Sequence, residues 1–207
     1  MADSQEVRGS RGQFLFVNAL TLSRAPLLML FMAGALVGLY HDIPWLKWFN
    51  LACMVVSAVT DLFDGLLARK WHVTSKFGAV CDPMMDKVFF IIVFPTLTFF
   101  LALRGKAELC HAILMLVLTV SYILRDQWVM ALRALASGRG ADMKANWVGK
   151  IRTAMSFPIG CLLYCYIDFG WNWVTQPLMI GVEIFAIAVN LYSLVAYTKR
   201  YAFAFHE

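Results

Sequence analysis

The chain has 207 residues, of which 61% are hydrophobic and only 15% charged, a balance outside the range of ordinary soluble domains. This excludes a soluble globular protein. The formal net charge of +5 arises from basic residues that flank apolar runs, so it reads as a membrane-orientation signal with some attraction for anionic headgroups, and calls for no nucleic-acid partner.

Apolar runs long enough to span a bilayer, about 20 residues each, occur six times, over 16–40, 45–69, 77–103, 107–135, 147–168 and 176–198. The prediction is an all-α polytopic membrane protein with six transmembrane helices in one domain, residues 1–207, since the linkers are short and no repeat of fixed period is present. One set of ends collects Arg8, Arg11, Arg69, Lys70, Lys76, Arg133, Arg139, Lys144, Lys150, Arg152, Lys199 and Arg200, against Lys47, Arg104 and Lys106 on the other. Positive residues stay on the cytoplasmic side, so both termini are expected there. The segment MADSQEVRGSRGQ has no apolar core with a cleavage site after it, and the first helix serves as its own insertion signal. Trp45, Trp48, Trp171 and Trp173 are expected at the outer interface, and Trp71 with His72 at the inner one.

The second and third helices meet at the turn WHVTSK, with Thr74 or Ser75 as the N-cap of the third. Four aspartates flank this turn. Helical spacing puts Asp61, Asp64, Gly65 and Ala68 on one face of the second helix, and Gly78, Asp82 and Asp86 in a stripe on the third. One ionised residue at mid-bilayer costs about 2.5–3.5 kcal/mol, and four mutually repelling carboxylates cost more. Arg69 and Lys87 are too few to offset them, Lys87 being read as a salt-bridge partner, whereas one or two hard divalent ions, Mg²⁺ or Mn²⁺, fit an all-oxygen donor set. Gly65, Ala68 and Gly78 lack bulk and allow close approach of a substrate or helix. The five cysteines form no CxxC pair and read as small buried apolar residues, and His41, His111 and His206 have no partners at useful spacing.

The pattern Asp61-x2-Asp64-Gly65-x2-Ala68-Arg69-x8-Gly78-x3-Asp82-x3-Asp86 resembles the complete signature of the CDP-alcohol phosphatidyltransferases. The resemblance implies a membrane enzyme in which an alcohol attacks CDP-diacylglycerol or a related CDP-alcohol and CMP leaves. It implies that Asp61, Asp64, Asp82 and Asp86 bind two metal ions, that Asp86 is also the catalytic base, and that Asp61, Asp64, Gly65, Ala68, Arg69 and Gly78 line the CDP-alcohol site. Asn18-x2-Thr21-x2-Arg24, Asp82-Pro83-x2-Asp86-Lys87, Arg125-Asp126 and Trp147-x-Gly149-Lys150-x-Arg152-Thr153 are similar to segments of those family members whose acceptor is glycerol 3-phosphate. The last two differ at Asp126, where that pattern has Glu, and at Arg152, where it has Lys. On this resemblance Asn18 and Thr21 join the CDP-alcohol site, and Arg24, Arg125, Lys150 and Arg152 hold the acceptor phosphate. It also implies a homodimer in a bacterial cytoplasmic membrane with the site facing the cytoplasm. The same reaction with serine, inositol phosphate or phosphatidylglycerol as acceptor is the nearest alternative. A cation transporter is a remote one, because transport sites lie near the midplane and these aspartates lie near one surface.

Overall fold

The computed structural model describes residues 10–71, 73, 76–137, 147–171 and 173–202, and only the backbone at 76–80, 82, 83, 86, 137, 147, 148, 150 and 153. The described residues are helical with no strand. They form α1 (Arg11–Gly38), α2 (Pro44–Lys70), α3 (Lys76–Leu103), α4 (Leu109–Ser137), α5 (Trp147–Tyr164) and α6 (Gln176–Arg200). Each predicted apolar run coincides with one of these helices. Among the described residues four stretches are long and apolar enough to cross a membrane, namely α1, α2, α6 and Lys106–Ala136, which holds nearly all of α4. Lys87–Leu103 and Ala154–Phe169 are shorter apolar helical stretches.

Local chemistry sets the ends. Ser10 caps α1 by a capping box: its Oγ accepts from the Gln13 N–H at 3.3 Å while its own N–H donates to Gln13 Oε1 at 2.8 Å. Proline stands in the first turn of α2 and of α6, where a missing N–H costs nothing. Arg69 and Lys70 close α2 and Lys199 and Arg200 close α6, complementing the negative end of each helix dipole. Thr74 and Ser75, the expected caps of α3, lie outside the described residues, as do Arg8, His72, Arg139, Lys144 and His206. The α5 helix ends in a π-turn, Cys165–Phe169, followed by Gly170 at φ 58°, and the Arg104 guanidinium donates to the Ile167 carbonyl there.

The chain divides into two compact units, Met1–Ile92 and Val93–Glu207, with the division inside α3. In the first, α1 lies against α2. They approach closely at Gly34, where an added Cβ would stand 2.3 Å from Asn50 Oδ1 and 3.3 Å from Leu46 Cδ1. Small residues permit such approaches between membrane helices. Leu28, Phe31 and Met54 are fully buried in this unit. In the second, α6 packs against both α4 and α5, and Val129, Leu132, Ala136, Tyr197 and Tyr201 form a buried cluster. Large apolar side chains such as Leu62, Phe185 and Tyr192 face outward, as a lipid solvent allows. Trp45, Trp48 and Trp173 are exposed, and Trp171 stacks on Trp173 at 5.5 Å.

Candidate functional site

Within the first unit, α1 brings Thr21 and Arg24 against Asp61 and Asp64 of α2. Positions three apart on a helix share a face, so Asn18, Thr21 and Arg24 form one stripe and Asp61, Asp64, Gly65 and Ala68 another. The Thr21 hydroxyl donates to Asp64 Oδ2 at 2.8 Å. Arg24 reaches both carboxylates: Nη2 donates to Asp64 Oδ2 at 2.9 Å and Nη1 to Asp61 Oδ1, while Nε donates to the Thr21 carbonyl at 3.3 Å. The guanidinium is 2% exposed and the Asp61 and Asp64 side chains 19% and 8%. A bidentate fork between two acids is the arrangement in which a buried ion pair recovers its desolvation cost.

Arg24, expected at the acceptor phosphate, stands on Asp61 and Asp64. Arg24, not only Arg69 and Lys87, offsets charge on these aspartates, and the Asn18-x2-Thr21-x2-Arg24 spacing is the sequence signal that points to it. Counting Arg24 against Asp61 and Asp64 leaves one net negative charge among these three groups. Asn18 and Ala68 are half-buried beside this array and Arg69 is exposed. Among the described residues an added Cβ at Gly65 would meet only Arg69 Nη2, at 3.9 Å, which sets a guanidinium beside this position. Gly78, Asp82 and Asp86 lie on the helical backbone of α3, and their side chains fall outside the described residues. Among the described residues no group of three or more His, Cys, Asp or Glu is arranged to hold a metal.

The second unit holds a separate polar cluster. Asp126 Oδ1 accepts from Arg125 Nη1 at 2.9 Å and from Arg152 Nη2 at 2.7 Å, joining α4 to α5. All three residues are buried. The Arg125 guanidinium packs over the Tyr197 ring, and that of Arg152 over Tyr122, each at 4.6 Å. Arg125 and Arg152, two of the residues expected to hold the acceptor phosphate, thus share one carboxylate; the Lys150 side chain lies outside the described residues. The carboxylate that joins them was met in the sequence only as a departure from a motif.

His111 corrects an expectation. It is fully buried, with Nε2 2.6 Å from Glu183 Oε1 and Nδ1 3.2 Å from Glu108 Oε2. Glu108 also accepts from the Tyr166 hydroxyl at 2.6 Å. Glu108 precedes His111 by three residues, a helical-neighbour spacing that was readable; Glu183, on another helix, was not. The cysteines are all free, with Cys53 and Cys165 buried and Cys110 exposed, so the expectation of burial fails at Cys110.

The profile of the CDP-alcohol phosphatidyltransferase family matches residues 14–192. Three bacterial relatives carry the name CDP-diacylglycerol–glycerol-3-phosphate 3-phosphatidyltransferase. The protein of Cereibacter sphaeroides is 33% identical over 131 residues, 63% of this chain, and the match spans 55% of the relative's own length. That of Pectobacterium atrosepticum is 32% identical over 68% of this chain and 71% of its own. That of Shigella flexneri is 29% identical over 89% of this chain and 93% of its own.

Proposed function

This chain belongs to the CDP-alcohol phosphatidyltransferase family and is a transferase, and on that premise we propose that it moves a phosphatidyl group from CDP-diacylglycerol to glycerol 3-phosphate, releasing CMP and forming phosphatidylglycerol phosphate. The observation that best supports a CDP-alcohol site is the Thr21–Arg24–Asp61–Asp64 array beside Gly65 and Arg69. The acceptor assignment draws on the Arg125–Asp126–Arg152 cluster and on the names of the relatives.

In this reading Arg69 takes the pyrophosphate with its planar fork of donors. Asn18, Gly65, Ala68 and Gly78 line the nucleotide. The acceptor hydroxyl oxygen attacks the phosphorus that bears the diacylglycerol, the bond from that phosphorus to the CMP oxygen breaks, and Asp86 takes the hydroxyl proton. Thr21 and Arg24 hold Asp61 and Asp64 in fixed rotamers, so the carboxylates meet the substrate already oriented. Arg125, Lys150 and Arg152 attract the acceptor phosphate.

The donor set suits divalent cations: hard carboxylate oxygens whose two charges Arg24 offsets only in part. Asp61, Asp64, Asp82 and Asp86 would hold two Mg²⁺ or Mn²⁺ ions, which supply Lewis-acid stabilisation to the phosphoryl oxygens when bound. We further assign the chain one domain with six spans, both termini and the site at the cytoplasmic face of a bacterial inner membrane, and a homodimeric state.

The test offers the purified protein CDP-diacylglycerol with glycerol 3-phosphate, serine, inositol phosphate or phosphatidylglycerol and measures CMP release. Glycerol 3-phosphate is expected to be preferred, and a chelator to abolish activity that Mg²⁺ or Mn²⁺ restores. Full activity in the chelator overturns the metal assignment, and preference for another alcohol overturns the acceptor assignment.

A further inference from the structure

Helix α6 carries no part of the family signature, yet two of its residues, Ser193 and Tyr197, contact Arg125. Ser193 Oγ accepts from Arg125 Nε at 3.2 Å and from Nη2 at 2.6 Å, and is itself fully buried. Asp126 takes one N–H of Nη1. Among the described residues these bonds leave one N–H on each terminal nitrogen of Arg125, a pair suited to two oxygens of a phosphate. One turn further along α6, the Tyr197 ring lies under the same guanidinium at 4.6 Å and under that of Arg133 at 5.4 Å, and its hydroxyl accepts from Arg133 Nη2 at 3.3 Å. Gly149 of α5 makes room for this packing, since a Cβ there would stand 2.8 Å from Tyr197 Oη and 3.4 Å from Arg125 Nη2.

Arg125, Arg133 and Arg152 set against Asp126 leave two positive charges in excess among these groups. A phosphate monoester near neutral pH carries close to two negative charges. We infer that Ser193 and Tyr197 are positioning residues that act through Arg125 and set the preference for an acceptor bearing a dianionic phosphate monoester; the inference rests on the glycerol 3-phosphate reading above. The Ser193 hydroxyl holds the fork from its Nε edge, and the Tyr197 ring fixes the plane in which it lies. A long cation that is otherwise free to rotate is thereby presented in one orientation, which lowers the ordering cost of binding.

The experiment varies each substrate separately in the purified full chain. Ser193→Ala is expected to raise the KM for glycerol 3-phosphate about tenfold, with the KM for CDP-diacylglycerol and kcat changed by less than about twofold. Ser193→Thr, which keeps the hydroxyl, returns it toward wild type. Tyr197→Phe keeps the ring and behaves like wild type, whereas Tyr197→Leu repeats the Ser193→Ala pattern. Inorganic phosphate competes with glycerol 3-phosphate in the wild type and loses potency in Ser193→Ala. Equal changes in both KM values, or no change in either, overturn the inference while leaving the acceptor reading intact. A wild type that ignores glycerol 3-phosphate removes the acceptor reading first and the inference with it. Should Ser193→Ala not accumulate as folded protein, the contrast between Tyr197→Phe and Tyr197→Leu decides the question by itself.

Discussion

Arg24 shows how one side chain makes an acidic site tolerable in a membrane protein. It is 2% exposed and reaches Asp61 and Asp64 together. Removing one partner of a buried ion pair leaves uncompensated charge, at a cost of about 3–5 kcal/mol. Arg24→Met is therefore expected to lower stability by about that amount, read as a fall in melting temperature in detergent, and to abolish CMP release. Arg24→Lys keeps the charge and loses the fork. A single ammonium cannot span both acids as a guanidinium does, so this variant should fold and yet lose about tenfold or more in activity. If it matched wild type in turnover, the role of Arg24 would reduce to charge alone.

Between elements, the α1–α2 contact turns on Gly34. A Cβ there would stand 2.3 Å from Asn50 Oδ1 and 3.3 Å from Leu46 Cδ1, too close without movement of α2 or of the buried Asn50 side chain. Overpacking of this kind costs about 1–3 kcal/mol. Gly34→Ala should lower the melting temperature accordingly and, because α1 carries Thr21 and Arg24, should reduce activity as well. Gly38, on the same helix, has nothing within 4 Å of an added Cβ among the described residues. Gly38→Ala is thus the matched control, neutral or slightly stabilising by up to about 1 kcal/mol through helix propensity. Equal effects of the two substitutions would sink the close-approach argument. Placing α6 by its apolar run was straightforward, whereas its polar contributions were not: Glu183, Ser193 and Tyr197 are single polar residues in an apolar helix, and each has its partner on α4.

At the scale of the molecule, the asymmetry of Lys and Arg between connecting segments predicts one orientation in the bilayer. Single cysteines placed near Ser10 and near Tyr201, in an otherwise cysteine-free variant, should be protected from an impermeant thiol reagent added outside intact cells. Cysteines at Asp42 and Trp173 should be labelled. Labelling of either terminal site from outside would reverse or break the assigned topology. Substituting the native cysteines is compatible with the fold because all five are free thiols.

What the chain determined by itself is whatever depends on near neighbours. Six helices and the basic residues at their ends follow from runs of apolar residues and from interactions within three or four positions. The aspartate spacing is local in the same sense, and it carried the family with it. Partner choice is a different kind of fact. Arg24 finds Asp61 and Asp64 at separations of 37 and 40 residues, Ser193 finds Arg125 at 68, and Glu183 finds His111 at 72. In a soluble helix the apolar stripe tells which face turns inward, but helices such as α1 and α6 are apolar on nearly every side because their solvent is lipid. With no stripe to read, the inward face is chosen by packing between helices, at points such as Gly34 against Asn50 and Gly149 against Tyr197. Only the tertiary structure could therefore decide which buried charges meet, and it makes Arg24 a partner of the acids and Ser193 a partner of Arg125.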